Sequence, residues 1–142
     1  MHRAVIRAAG LEDAAAVVAL WRDCALTRPW NDPEADFKLA MATEASIVLV
    51  ARDVDGIAGS IMTGFDGHRG WVYYLAVAPA ARGAGLGRAL MRAAEDWLRA
   101  RGAPKIQLMV RGGNADALAF YAALGLEQQD VVTLGRFLKD PE

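Results

Sequence analysis

Leu75-Ala76-Val77-Ala78-Pro79-Ala80-Ala81-Arg82-Gly83-Ala84-Gly85-Leu86-Gly87-Arg88-Ala89-Leu90 reads as a strand, a glycine-rich turn and the start of a strongly amphipathic helix. Glycines at 83, 85 and 87 carry no Cβ, so backbone N–H groups can converge on one anion. The helix dipole adds positive potential at the same place. Arg82 and Arg88 flank the turn and can neutralise phosphate. The physical reading is a pyrophosphate cradle. An ordinary left-handed turn before a helix needs one glycine; three at alternate positions between two arginines exceed that need. A Rossmann nucleotide site wants G-x-G-x-x-G early in the chain. Here Gly85-Leu86-Gly87 is followed three residues later by Leu90, in mid-chain. No G-x-x-x-x-G-K-[ST] is present, so a Walker nucleotide site is excluded.

Working outward, Trp71–Val77 is rich in aromatic and β-branched residues and predicts a strand, ended by Pro79. Ala84–Arg101 predicts the clearest helix, with Leu86, Leu90, Ala93, Ala94 and Trp97 as its buried stripe and Gly102 as its stop. Upstream, Arg3–Ala8 predicts a short strand. Leu11–Ala25 predicts a helix whose apolar face holds Ala14, Val17, Val18 and Trp21. Thr27–Pro33 is a loop stiffened by two prolines, with Asp32 capping a helix that runs from Pro33 to about Thr43. Ser46–Asp53 and Ile57–Phe65 are strands joined by the hairpin turn Asp53-Val54-Asp55-Gly56; Asp66-Gly67-His68-Arg69-Gly70 is a second turn. Downstream, Lys105–Val110 is a strand, Asn114 opens a short helix ending at Gly125, and Glu127–Leu138 reads as a final strand. The order β-α-α-β-β-β-α-β-α-β is a mixed α/β sheet with helices on its faces. No repeat or linker stands out, so one domain over residues 1–142 is expected.

The 142 residues are 54% hydrophobic, but 29 of them are alanine, so the figure overstates bulky side chains. A net charge of −1 argues against a general nucleic-acid or anionic-membrane binder, which needs a large basic excess. The longest uncharged run, Gly70 to Ala81, is twelve residues. A membrane span needs about 18–20. Met1–Arg7 has charges on both sides of Val5-Ile6, so no signal peptide is read and the expected address is the cytoplasm. Cys24 is the lone cysteine, and His2 and His68 are scattered, so no metal site is legible. Only Ser46 and Ser60 are present, neither in G-x-S-x-G.

Arg82-x-x-Gly85-x-Gly87, following a strand that ends Leu75-x-Val77, resembles the acetyl-CoA loop of the GNAT N-acetyltransferases. Asn114 with Phe120-Tyr121-x-x-x-Gly125 resembles that family's later helix, and the element order matches over nearly the whole chain. Arg28-Pro29-Trp30-Asn31-Asp32-Pro33 and Asp66-Gly67-His68-Arg69-Gly70 further resemble the bacterial YpeA-like subgroup. The resemblance implies a mostly antiparallel sheet of six to seven strands, with one parallel pair splayed to leave a slot and helices on both faces. It implies acetyl-CoA as cosubstrate. The amides of Gly83, Gly85 and Gly87 would hold the pyrophosphate. Leu75 and Val77 would pair with the pantetheine arm as if it were an extra strand. Ala76, Arg82, Ala84, Leu86, Arg88 and Asn114 would complete the cofactor site. An amide near Leu75 would stabilise the developing oxyanion, and Tyr121 would protonate the departing thiolate. The resemblance also admits a homodimer through the last strand.

Many family members carry a glutamate on the strand before the loop; here Tyr73 and Tyr74 stand there, and no acid occurs from Arg69 to Ala94. Asp66 and His68, in the turn feeding that strand, are the candidate bases, acting directly or through water. Arg28, Trp30, Asn31, Asp32, Arg69 and Tyr73 are the candidate acceptor-binding set. Two arginines there would suit an acceptor with a carboxylate, such as an amino acid or peptide end. The reading is an acetyl-CoA-dependent N-acetyltransferase working by direct attack in a ternary complex, with no metal. The alternatives are a non-catalytic acetyl-CoA-binding sensor or partner module, and an enzyme acetylating a protein N-terminus or lysine.

Overall fold

The computed structural model describes residues 4–139. They divide after Met109 into two compact units. In the first, strands β1 (Val5–Ala8), β2 (Ser46–Asp53), β3 (Gly56–Phe65), β4 (Gly70–Val77) and β5 (Ile106–Leu108) form one sheet in chain order. The first three junctions are antiparallel and β4–β5 is parallel. Helices α1 (Ala14–Asp23), α2 (Pro33–Met41) and α3 (Leu86–Ala100) belong to the same unit. Arg3, the predicted start of β1, lies outside the described residues.

Four consecutive residues of β2, Val48 to Ala51, are buried, because helices cover both faces of the sheet. Val48 and Val50 join Trp21, Phe37 and Val17 in one core layer under α1 and α2. The opposite parity faces α3. Gly59 and Gly70 lie so close to that helix that an added Cβ would come within 2.9 Å of Leu90 Cδ1 and 2.5 Å of Leu98 Cδ1. The stripe of α3 is Leu90, Met91, Ala94 and Leu98, rotated from the predicted one. Trp97 is only half-buried, and the Arg101 guanidinium lies 3.6 Å above its ring. Its amphipathic alternative, a cation–π contact at the rim, replaces the expected core position.

The turn between β2 and β3 forms where expected, with Asp55 N–H donating to Asp53 Oδ1 at 2.8 Å. The first helix differs from expectation at both ends. Leu11–Asp13 is a 3-10 turn, because the Asp13 carboxylate folds back onto Gly10 N–H (2.8 Å) and Arg7 (2.9 Å). Those two donors hold the Asp13 carboxyl below the usual aspartate range, the Arg7 contact being the larger cause. At its C-terminus, Leu26 N–H donates to Trp21 O and Ala25 N–H to Arg22 O, the pattern that glycine normally completes. Ala25 occupies the left-handed position, at φ 58°. Ala25→Gly relieves that strain and is expected to raise stability by about 1 kcal/mol, read as a higher urea midpoint at unchanged m-value.

Two expectations about the sheet are corrected. Among the described residues it has five strands, not six to seven. Residues 127–138 hold no strand. A strand exists through its ladder, and apolar content alone does not supply one. Its apolar residues, Val131, Val132, Leu134, Phe137 and Leu138, are exposed. The second unit is built on α4 (Ala115–Ala123), which begins at Asn114 and ends in a glycine cap at Gly125, φ 88°.

Candidate active site

The site starts from a defect in β4. Gly70 N–H donates to Lys105 O, so this parity of β4 faces β5, while Trp71 and Tyr73 turn their polar groups toward β3. Further along, Ser60 pairs with Ala76, and Ala78 N–H donates to Ala58 O. The parity has switched, because Ile61 opposes two residues, Tyr74 and Leu75. Tyr74 takes up the extra residue at φ 52°, a conformation that costs a bulky side chain strain. After the bulge, Leu75 and Val77 are the residues whose backbone faces away from β3. The pairing of β4 with β5 has already stopped at Val72 and Leu108. Beyond that parallel ladder, the outward edge of β4 runs from Leu75 to Val77.

That edge leads into the glycine-rich turn. Pro79–Ala81 form one 3-10 turn, Arg82 is extended, and Gly83 and Gly85 both lie in the left-handed region, at φ 85° and 81°. Gly85 is the N-cap of α3 and offers no capping side chain, so the first amides of the helix keep their donors for a ligand. A Cβ at either glycine would meet nothing within 4 Å, so the space above this backbone is open. Ala84 belongs to the loop, and α3 starts at Leu86, two residues later than predicted. Gly87 lies in its first turn and Arg88 is exposed. Arg82 turns back to the strand. Its Nε donates to Val77 O at 3.1 Å, and its guanidinium lies 3.7 Å from Cys24 Sγ. Ala76 is buried and its backbone is spent on Ser60; its neighbours Leu75 and Val77 face the other way, and Val77 O already accepts from Arg82 Nε and, at 3.4 Å, from Cys24 Sγ.

The predicted bases lie at the other end of β4. Asp66 Oδ1 accepts from His68 N–H (2.8 Å) and Arg69 N–H (2.7 Å), and Oδ2 accepts from Trp71 Nε1 (3.2 Å). The two backbone donors hold the Asp66 carboxyl below the usual aspartate range. The carboxylate thus organises its own turn, where β4 is still paired. The Arg69 guanidinium reaches His68 O at 3.0 Å and lies 3.4 Å from His68 Nδ1. Arg28 donates to the carbonyls of Ala25 and Thr27, both at 2.8 Å. Asn31 N–H closes the turn onto Arg28 O, Trp30 is exposed, and Asp32 Oδ1 caps α2 through Ala35 N–H. Tyr73 is exposed on β4, its phenol raised chiefly by burial and then by Asp66.

Sequence reasoning missed a pair that tertiary structure assembles. Tyr74 OH donates to Asp36 Oδ2 at 2.7 Å, and the Tyr74 ring stacks on Trp21 at 3.8 Å and 7°. Burial, then the Asp36 contact, pushes this phenol up. The residues are 38 apart, so only the Asp36 helix position, facing inward one residue before Phe37, hinted at it.

In the second unit, Asn114 Oδ1 caps α4 through Ala117 N–H at 3.1 Å. Tyr121 packs edge-on to Phe120 at 5.1 Å, and burial raises its phenol.

The profile of the acetyltransferase (GNAT) family matches residues 15–126. The chain belongs to this family. Among solved GNAT-like structures, the ribosomal-protein-S18-alanine N-acetyltransferase of Escherichia coli is 27% identical, with a TM-score of 0.74 over 88% of this chain and 77% of that one. The ribosomal-protein-alanine N-acetyltransferase of Brucella melitensis is 22% identical, with a TM-score of 0.76 over 94% and 99%. The aminoglycoside N-acetyltransferase AAC(6')-Iy in complex with CoA is 16% identical, with a TM-score of 0.83 over 98% and 97%; it shares the fold. No helix among the described residues is long and apolar enough to cross a membrane. Among them, no cluster of three His, Cys, Asp or Glu side chains could hold a metal ion.

Proposed function

We propose that this GNAT chain is an acetyl-CoA-dependent N-acetyltransferase that acts on a primary amine of a small molecule or peptide end. The observation that carries the reading is the open edge of β4 at Leu75 and Val77, running directly into the uncapped amides of Gly85 and α3. The residues fit the cofactor. An extended amide chain suits the unpaired strand edge, and a diphosphate suits left-handed glycines with open space above them. When bound, acetyl-CoA supplies an acyl group activated as a thioester.

The rest is the chain's own chemistry. Gly83, Gly85 and Gly87 hold the diphosphate by main-chain donors, with Arg88 exposed beside them. Arg82 exchanges its contact with Val77 O for the cofactor. Leu75 N–H stabilises negative charge on the thioester oxygen, and Tyr121 gives a proton to the sulfur. The amine attacks directly, without a covalent acetyl-enzyme. Asp66 and His68 contribute the shape of the turn that leads into β4, and proton removal from the amine passes to water. Arg28, Trp30, Asn31, Asp32, Arg69 and Tyr73 form the acceptor surface, in keeping with the YpeA-like resemblance of those loops.

The test is a panel of amines assayed for thiol release with acetyl-CoA. Amino acids and peptide N-termini are expected to turn over, and turnover of polyamines or aminoglycosides alone would refute the acceptor class. A chain that binds acetyl-CoA yet releases no thiol with any amine, peptide or protein would be a sensor module instead.

A further inference from the structure

Tyr74 carries the strain of the bulge, and three contacts hold it. Its ring lies flat on Trp21 at 3.8 Å, its hydroxyl donates to Asp36 Oδ2 at 2.7 Å, and its carbonyl accepts from Ser60 Oγ at 3.2 Å. Ser60 Oγ in turn accepts from Trp21 Nε1 at 2.9 Å, so the ring that stacks on Tyr74 also orients the hydroxyl that grips its backbone. Trp21 and Ser60 are fully buried; Asp36 and Tyr74 are half-buried. A tyrosine at φ 52° persists only where its surroundings over-determine it. Here α1, α2 and β3 each supply one constraint.

The next residue is Leu75, whose N–H faces the open edge. A rotation of the Tyr74 backbone is a rotation of that N–H. Asp36 has no cationic partner among the described residues, and its Oδ1 accepts no hydrogen bond there, so the phenol is the group it serves. We propose that Asp36, acting through the Tyr74 hydroxyl, is a positioning residue that locks the β4 bulge and so aims the Leu75 amide. This rests on the reading of that edge as the acyl site. It assigns α2 a task in the site: it is one jaw of a clamp whose other jaw is Trp21.

The clamp makes a hydrogen bond, not a charge pair, the operative contact. Asp36→Asn keeps an acceptor oxygen for the phenol, whereas Asp36→Ala and Tyr74→Phe remove the bond. Tyr74→Phe keeps the ring on Trp21, so the core stays filled. Two measurements test this on the whole chain. The first needs no activity: amide hydrogen exchange at Ala76 and Ala78, the two ladder residues just past the bulge. Asp36→Ala and Tyr74→Phe are expected to speed exchange there about tenfold, with Asp36→Asn near the parent. The second is steady-state kinetics. The same two variants are expected to lose about ten- to a hundredfold in kcat with the KM for acetyl-CoA within twofold, as for a misaimed group, and Asp36→Asn is expected to recover most of the rate. Parent-like exchange in Tyr74→Phe and Asp36→Ala overturns the clamp, whatever the protein catalyses. Faster exchange with undiminished kcat overturns the link to the Leu75 amide. Equal loss in Asp36→Asn and Asp36→Ala overturns it in favour of a charge role. A parent chain with no transferase activity, but with the expected exchange pattern, leaves the clamp standing and overturns the acyl-site reading.

Discussion

Tyr121→Phe is expected to lower thiol release at saturating substrates by about a hundredfold, with acetyl-CoA affinity changed less than twofold. The change removes one oxygen. Among the described residues that hydroxyl makes no hydrogen bond, so no partner is orphaned, and the edge-on contact with Phe120 at 5.1 Å survives. Stability should therefore hold while turnover falls, which separates a proton donor from a packing residue. The pH profile gives an independent sign. A donor works in its protonated form, which exists below its pKa. Burial raises the Tyr121 phenol above the usual tyrosine value, so the alkaline limb of kcat that it controls lies beyond the ordinary tyrosine range and disappears in the variant. Stopped-assay kinetics across alkaline pH would show it. A variant with parent-like kcat would remove Tyr121 from the chemistry.

Gly85→Val should cost at least a hundredfold in acetyl-CoA affinity, and Gly85→Ala about tenfold. Two causes add. Gly85 sits at φ 81°, ψ 12°, where an L side chain pays about 1–2 kcal/mol and a β-branched one more. The side chain also stands in the open space over the first amides of α3, where the diphosphate belongs. Strain alone must be subtracted, and Gly102 allows it. It lies at φ 82° at the far end of the same helix, again with open space around a Cβ. Gly102→Ala should lower the thermal midpoint comparably and leave calorimetric binding of acetyl-CoA unchanged. If both alanine variants bind alike, the glycine turn is a backbone device and not a ligand cradle.

What the sequence made legible was local. Gly83 and Gly85 announced a turn opening a helix, Asp53–Gly56 a hairpin, and Asn114 and Asp32 helix starts; each forms as read, because neighbours a few residues apart decide it. The parallel pairing of β4 with β5 was implied by family resemblance, not by pattern. What escaped depended on contacts across the chain. Residues 127–138 have strand-like apolar content, but a ladder needs a partner that composition does not name. Ala25 and Tyr74 hold left-handed backbone without the glycine or asparagine that would signal it. Nor was the resting contact of Arg82 legible: its side chain reaches back five residues to Val77 O. Nor did the place of Asp66 in the turn feeding β4 announce that three donors converge on its two oxygens. Asp36 drew no notice because nothing in the helix around it mentions β4.

The bulge has one more consequence, concerning length instead of chemistry. Ile61 faces two residues where it would ordinarily face one. Any substitution at Tyr74 leaves that tally alone, but removing a single residue between Tyr73 and Ala76 would restore an even count. The ladder on either side, Met62 with Tyr73 and Ser60 with Ala76, would keep its register, and only the kink at Tyr74 that sets the direction of the Leu75 amide would be lost. A one-residue deletion there should therefore leave the strand paired and the glycine turn in place while removing the kink itself, a change of length that no point substitution reproduces.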